Sequence, residues 1–248
     1  MTRETDGGVF CSLVIPCYNE AGNLAALLEE FAAARPAADF ELILVDNGSS
    51  DGTAEQLRRL LPRFPFARAV TVPVNQGYGY GISRGLEAAR GLYAGWAHGD
   101  LQYIPAEILA AVESLRSAGG GRLFLKGLRS SRTFADTFFT AGMSLYESLL
   151  FGTGLRDINA QPTLFHRSLL EHWAAAPRDF LLDLYACVAA ARSGFRVLRV
   201  PMRLRERARG ASSWNRGLSS RLGLALRSIK GSVALRRAMG ADPGRYFC

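Results

Sequence analysis

The strongest constraint on this chain is an alternation. Short apolar runs at residues 9–15, 40–45, 67–72, 92–97 and 123–126 are separated by stretches with helical apolar spacing at 20–35, 51–61, 81–90 and 105–117. In the first of these helices Leu24, Leu27, Leu28 and Phe31 share a face, and Pro36 stops it. Strands alternating with helices of this length predict βαβ units and a mostly parallel sheet, a Rossmann-like layer flanked by helices. Such sheets bind ligands outside the carboxyl ends of their strands. That rule singles out residues 16–20, 46–50 and 98–102, each directly after a predicted strand.

The second half is less regular. Helices are expected at 133–151 and 180–192, and strands at 164–166 and 195–204. A last helix at 218–235 places apolar residues 218, 222, 225, 226, 229 and 233 on one face, with Arg221, Arg227 and Lys230 off it. No repeat or linker is visible. The expected organisation is one α/β domain over 1–215, followed by a basic amphipathic helix at 216–248.

Composition narrows the function. With 248 residues, 48% hydrophobic and 21% charged, the chain can bury a sizeable core and is not disordered. No stretch of about 18 uncharged apolar residues occurs, so no spanning helix is expected; the best candidate, 180–191, is broken by Asp183. Nothing near the start resembles a secretory signal. Cys11, Cys17, Cys187 and Cys248 follow no zinc or disulfide spacing, which suits a cytoplasmic chain with reduced thiols. The net charge of +8 is uneven. Residues 199–237 hold eleven Arg or Lys and one acid, a net +10, which leaves −2 elsewhere. Such a run is a solvated face, a contact for an anionic membrane surface, or a seat for phosphate-bearing substrates. Nucleic acid is not an expected partner, because no recognition motif is present and Trp214 is the one aromatic in the run.

Chemistry-bearing residues cluster at the predicted strand ends. After the first strand, Tyr18 and Glu20 offer a ring for a base and a carboxylate for an imide or ribose hydroxyl; the plainer alternative is a loop with Asn19 as N-cap. Asp46 tips the second strand and leads into the turn-forming Asn47, Gly48, Ser49 and Ser50. Asn75-Gln76-Gly77-Tyr78-Gly79 opens a helix, an arrangement suited to phosphate, although it is not the dinucleotide fingerprint. Asp100 and Gln102 follow the fourth strand and supply oxygen ligands of the kind Mg²⁺ takes beside substrate phosphates.

Taken together, these segments resemble family-2 glycosyltransferases of the GT-A fold, over about residues 11–209. The specific pieces are 14–20, 45–53 and 75–77, and the Arg-x-x-Gly-x-Ser pattern within 205–213. Within that family the likeness is greatest to dolichyl- and polyprenyl-phosphate mannosyltransferases. The resemblance implies a nucleotide-sugar donor, GDP- or UDP-linked, held by Pro16, Tyr18, Asn19, Glu20, Asp46, Asn47, Gly48, Asn75, Gly79, His98 and Gly99. It implies Mg²⁺ or Mn²⁺ at Asp100 and Gln102, and donor or acceptor phosphates at Lys126, Arg129, Arg132, Arg207 and Ser212. The usual Asp-x-Asp reads His98-Gly99-Asp100 here, Ser213 stands where Lys is common, and 157–162 replaces a Gly-rich stretch.

A lipid-phosphate acceptor would be ionised already and need no base. A glycan or metabolite hydroxyl would need one, with Asp157 as first candidate and Asp183 as second. A non-catalytic nucleotide-sugar binder is the third reading, prompted by the missing first acid. The final helix either lies on the inner face of a membrane or packs on the core.

Overall fold

The computed structural model describes residues 8–130, 134–173, 176–205 and 218–241; for 134–136, 218–222, 224, 225 and 241 only the backbone is described. Strands β1 (Cys11–Cys17), β2 (Phe40–Asn47), β3 (Ala67–Val72) and β4 (Tyr93–Trp96) alternate with helices α1 (Leu24–Ala33), α2 (Thr53–Leu60) and α3 (Tyr78–Glu87). Then come α4 (Pro105–Ser117), β5 (Leu123–Ser130), α5 (Phe134–Phe151), β6 (Thr163–His166), α6 (Leu181–Arg192), β7 (Arg196–Arg203) and α7 (Leu218–Ala241). Short 3₁₀ turns at Leu61–Arg63 and Arg167–His172 complete the described elements.

One sheet runs β3-β2-β1-β4-β6-β5-β7. All its strands share one direction except β6, which is antiparallel to both β4 and β5. The mostly parallel sheet is as expected; the reversed insert is not legible in the sequence. Because β6 runs backwards, its first residue, Thr163, lies at the carboxyl edge of its neighbours, paired with Trp96 on β4 and Lys126 on β5.

Alternation along β1 serves two cores. Leu13 and Ile15 join α1 and α4 residues such as Leu24, Phe31 and Ile108 on one side. Val14 faces the other way, with Trp96, Phe165, Tyr185 and Ile82. A parallel sheet covered on both faces gives strands that are apolar throughout, as β2 is, with all eight residues buried.

Helix α7 joins the second core through Leu235 and Met239. Ser232 donates to Glu147 on α5 (2.5 Å), and Arg236 donates to the Leu150 carbonyl (3.2 Å). Among the described side chains of this helix the buried ones are 232, 235 and 239, whereas Leu226, on the apolar face expected to meet either a membrane or the core, is 60% exposed. The seats offered by α5 and α6 decide which helical stripe turns inward. Helix α1 begins at Leu24, so Asn19 is not its N-cap.

One buried carboxylate locks the sheet at the edge opposite the strand tips. Glu41 accepts from Ser12 Oγ (2.6 Å), Arg68 Nε (3.0 Å) and Arg90 Nη2 (3.0 Å). Burial alone would raise its pKa, but the donors from Arg68, Ser12 and Arg90 outweigh it and hold the group at about 2. A depressed folded-state pKa gives stability that is complete above the unfolded value and lost as pH falls through the folded one. Acid titration should therefore show a loss between about pH 4.5 and 2 that Glu41→Gln removes, read as the difference in melting temperature between the two proteins.

Candidate active site

The loops expected to hold the nucleotide converge at the carboxyl edge and are tied to each other. Cys17 on β1 pairs with Asp46 on β2. Asn19, in the left-handed region at φ 56°, receives a hydrogen bond from Ser50 N (2.9 Å) and donates its own N–H to Ser49 Oγ (3.1 Å). Glu20 N donates to Thr53 Oγ1 (3.0 Å), and Ala21 N to Asp51 Oδ2 (3.2 Å). Burial opposes ionisation of Asp51, but hydrogen bonds from Thr53 and Ala21 prevail and lower its pKa. Asp46 closes its own turn by accepting from Ser49 N (3.1 Å). Cys17 registers the concentration of charge: burial pushes its thiol pKa up, and Glu20 and Asp46 push it further. Tyr18 is half exposed at the rim, with Pro16 behind it on β1.

Gly48 is required by geometry. Its φ is +71°, and an added Cβ would stand 2.4 Å from the Asn75 amide nitrogen. The loop after β2 and the loop before α3 thus touch, and Asn47 Nδ2 donates to the Gly77 carbonyl (3.0 Å). Asn75 braces that second loop by accepting from Gly77 N (2.8 Å).

Gly79 has a different role from the one expected. A Cβ there would lie 2.4 Å from the Pro177 carbonyl and 2.7 Å from that of Asp179. Tyr80 N donates to the Arg178 carbonyl (3.1 Å). The glycine admits the chain's own 177–179 segment to the start of α3, so the position is closed to phosphate in this arrangement.

After β4, Gly99 packs on Ile15, and Asp100 is 9% exposed. Asp100 Oδ1 accepts from Gln102 N (3.2 Å), around a Leu101 held at φ 60°. A non-glycine residue in that region costs of order 1–3 kcal/mol, and such strain gathers at functional loops. The loop is braced from outside, since Arg205 N donates to the Gln102 carbonyl (2.9 Å). His98 Nε2 lies 3.1 Å from Tyr78 Oη, and Tyr78 stacks on Phe180 at 4.7 Å. Burial raises the Tyr78 phenol well above its ordinary pKa, with Asp183 adding to the rise. Among the described residues, no group of three or more His, Cys, Asp or Glu could hold a metal alone. A carboxylate and an amide oxygen do fit a hard divalent ion that completes its shell from substrate phosphates and water.

The end of β5 carries two acid–base pairs. Arg129, at the end of β5, sends Nε (2.8 Å) and Nη2 to Asp157 Oδ1, and its backbone N–H to Oδ2 (2.8 Å). Burial would weaken the Arg129 cation, but Asp157 more than compensates and raises its pKa. Beneath lies Lys126, expected among the phosphate contacts but wholly buried. Its ammonium donates to Asp183 Oδ1 (2.7 Å) and Thr163 Oγ1 (2.6 Å). Gln161 Nε2 also donates to Asp183 (3.0 Å). Strand alternation turns Lys126 into the layer under α6 instead of toward the cleft. Tyr103 bridges the pairs; burial pushes its phenol up to about 12 against the opposing pull of Arg129. Arg132, Arg207 and Ser212 lie outside the described residues.

Gln161, Thr163, Tyr103 and Tyr78 were not singled out by their sequence signals. The first two become neighbours of Asp183 only through the reversed β6. Tyr103 was within reach of sequence reasoning, being one residue beyond Gln102.

The sheet order and its single reversed strand define a GT-A fold. The chain belongs to glycosyl transferase family 2, whose pattern matches residues 12–151, more than half of it. It is 40% identical over 109 residues to the undecaprenyl-phosphate 4-deoxy-4-formamido-L-arabinose transferase of Edwardsiella ictaluri (strain 93-146), covering 42% of this chain and 33% of that protein. It is 37% identical over 107 residues to the dodecaprenyl-phosphate galacturonate synthase of Rhizobium johnstonii, covering 42% and 32%. A transferase of the first kind from Aeromonas hydrophila is 32% identical over 168 residues, 64% of this chain and 50% of that one. The chain thus spans a third to a half of the length of these relatives. Among solved structures, glucosyl-3-phosphoglycerate synthase from Mycobacterium tuberculosis, with Mn²⁺, uridine diphosphate and glucosyl-3-phosphoglycerate, superposes with a TM-score of 0.67 at 20% identity. That match covers 93% of this chain and 80% of the other, and shows a shared fold.

Proposed function

We propose that this chain transfers a sugar from a nucleoside-diphosphate donor to a polyprenyl phosphate, with inversion at the anomeric carbon. The relatives named for undecaprenyl- and dodecaprenyl-phosphate products support the acceptor class. The observation that carries the reading is the state of the two candidate bases. Asp157 is committed to Arg129 and Asp183 to Lys126. Both carboxylates are thus turned to a cation of this chain and not presented to an acceptor hydroxyl. An acceptor that arrives already ionised needs no such base, so this site suits a phosphate better than a hydroxyl.

In this reading Tyr18, Glu20 and Asp46 seat the nucleoside of a UDP- or GDP-sugar. Asp100 and Gln102 would hold Mg²⁺ or Mn²⁺, which neutralises charge on the diphosphate as it departs. Asp157 positions Arg129, whose planar fork meets acceptor or donor phosphate. An acceptor phosphate oxygen forms the new bond to the anomeric carbon while the bond to the nucleoside diphosphate breaks. Both partners are thereby held in line, which is the main contribution a protein makes to such a transfer. The chain would work at the inner face of a membrane, where the acceptor lies.

The test is incorporation of radiolabelled sugar from UDP- and GDP-sugars into solvent-extractable polyprenyl phosphate. The expected product is a phosphoglycoside, labile to mild acid, whose formation falls by roughly 10²-fold in Arg129→Ala. Label appearing only on a hydroxyl acceptor, in an acid-stable linkage, would overturn the assignment.

A further inference from the structure

His98, just past β4, is clamped between two tyrosines. Its Nε2 lies 3.1 Å from Tyr78 Oη, and the two rings stand nearly crosswise, at 78° with centroids 5.7 Å apart. The Tyr103 ring is set crosswise to the same imidazole at 6.3 Å. Tyr78 is itself fixed twice. Its ring stacks on Phe180 at 4.7 Å and 15°. Its backbone opens α3, where Tyr80 N donates to the Arg178 carbonyl and residues 177–179 close over Gly79. The direction of the contact with His98 follows from its surroundings. Burial raises the Tyr78 pKa well above its ordinary value, so the phenol keeps its proton. Trp96, whose indole N–H can only donate, lies beside the same oxygen. The phenol proton is therefore left for His98 Nε2. A neutral imidazole that accepts at Nε2 carries its own proton at Nδ1. That nitrogen is then a donor, with no lone pair for a metal.

We propose that Tyr78 is a positioning residue that makes His98 a hydrogen-bond donor to a diphosphate oxygen of the bound nucleotide. This rests on the transfer reading, which puts the diphosphate beside Asp100, two residues along the same loop. An acid at position 98 would add negative charge next to the phosphates. An N–H held in place attracts that charge, and does so more strongly as the diphosphate departs. His98 thus serves the leaving group directly, while Asp100 and Gln102 are left to the metal.

Calorimetric binding of UDP and GDP to the full chain, in Mn²⁺ and after chelation, tests this. Tyr78→Phe keeps the stack on Phe180 and removes the hydroxyl. It should weaken the preferred diphosphate by about 10-fold, the worth of one hydrogen bond to a charged group. His98→Ala should lose at least as much. His98→Asn places an amide N–H near the position of Nδ1 and should recover most of that loss. It needs no tyrosine to orient its proton, so adding Tyr78→Phe to it should cost nothing further. The losses should be the same with and without Mn²⁺. The proposal is overturned if Tyr78→Phe binds as the native chain does, or if it costs as much in the His98→Asn background, as damage to local structure would. It is overturned too if the losses vanish on chelation, since His98 then acts through the metal. A native chain that binds neither diphosphate overturns the transfer reading as well, whereas a chain that binds one but ignores these substitutions leaves that reading intact.

Discussion

Asp100→Ala is expected to reduce sugar transfer by about 10²–10³-fold, the range seen when one well-placed electrostatic stabiliser is removed. Its melting temperature should fall by no more than about 2 °C. The two effects separate because of where the residue sits. Asp100 is 9% exposed and accepts from the Gln102 amide within the same loop. That loop keeps its shape through other contacts, including the bond from Arg205 N to the Gln102 carbonyl. Folding should therefore tolerate loss of the carboxylate, while under the proposed transfer the leaving diphosphate would depend on the charge it anchors. Asp100→Asn, which keeps the shape and removes the charge, should be nearly as impaired. Transfer at the native rate by either variant would mean that the loop's strain at Leu101 serves another purpose.

Lys126→Met should be the most destabilising single change at the site, costing roughly 3–5 kcal/mol. For a chain of this length that is a drop of about 6–20 °C in melting temperature. Lys126 is fully buried, and its ammonium lies 2.7 Å from an Asp183 that is 2% exposed. Removing the cation leaves a buried carboxylate without its counter-charge, beside the Trp96 ring that lies 5.9 Å from the Lys126 ammonium. The donors from Gln161 and Thr163 soften the loss but do not replace the charge. Lys126→Met/Asp183→Leu should recover most of the stability, because the desolvation cost of both ions disappears together. If the single and double variants melt alike, the pair is not coupled as its geometry requires.

How far the sequence could be read depended on whether a feature was local. Residues 67–72 and 105–117 coincide with β3 and α4, since an apolar run and a Pro-started helical period are local signals. Asp46 and Asp100 are legible as strand-tip residues because a parallel sheet sends its tips to one edge, whereas Arg129 comes only from the family resemblance. What failed depended on distant pairing. A four-residue β6 has no period of its own, and its direction is set by the slot between β4 and β5. Lys126, expected at a phosphate, has its partner Asp183 57 residues away, so the buried pair is not visible in the sequence. Asp157, the first candidate base for a hydroxyl acceptor, is paired with Arg129, which lies 28 residues before it and is not visible as its partner in the sequence. At Gly79 a glycine before a helix suggested phosphate, whereas the carbonyls of 177–179 fill the space.

Calorimetric titration with UDP and GDP, in Mn²⁺ and again after chelation, tests the account at its centre. One of the two should bind with a Kd near the micromolar range, and chelation should weaken it by at least ~10-fold, about 1.4 kcal/mol. Absence of binding by both at millimolar concentration with Mn²⁺ present would contradict a diphosphate site at the carboxyl edge of this sheet.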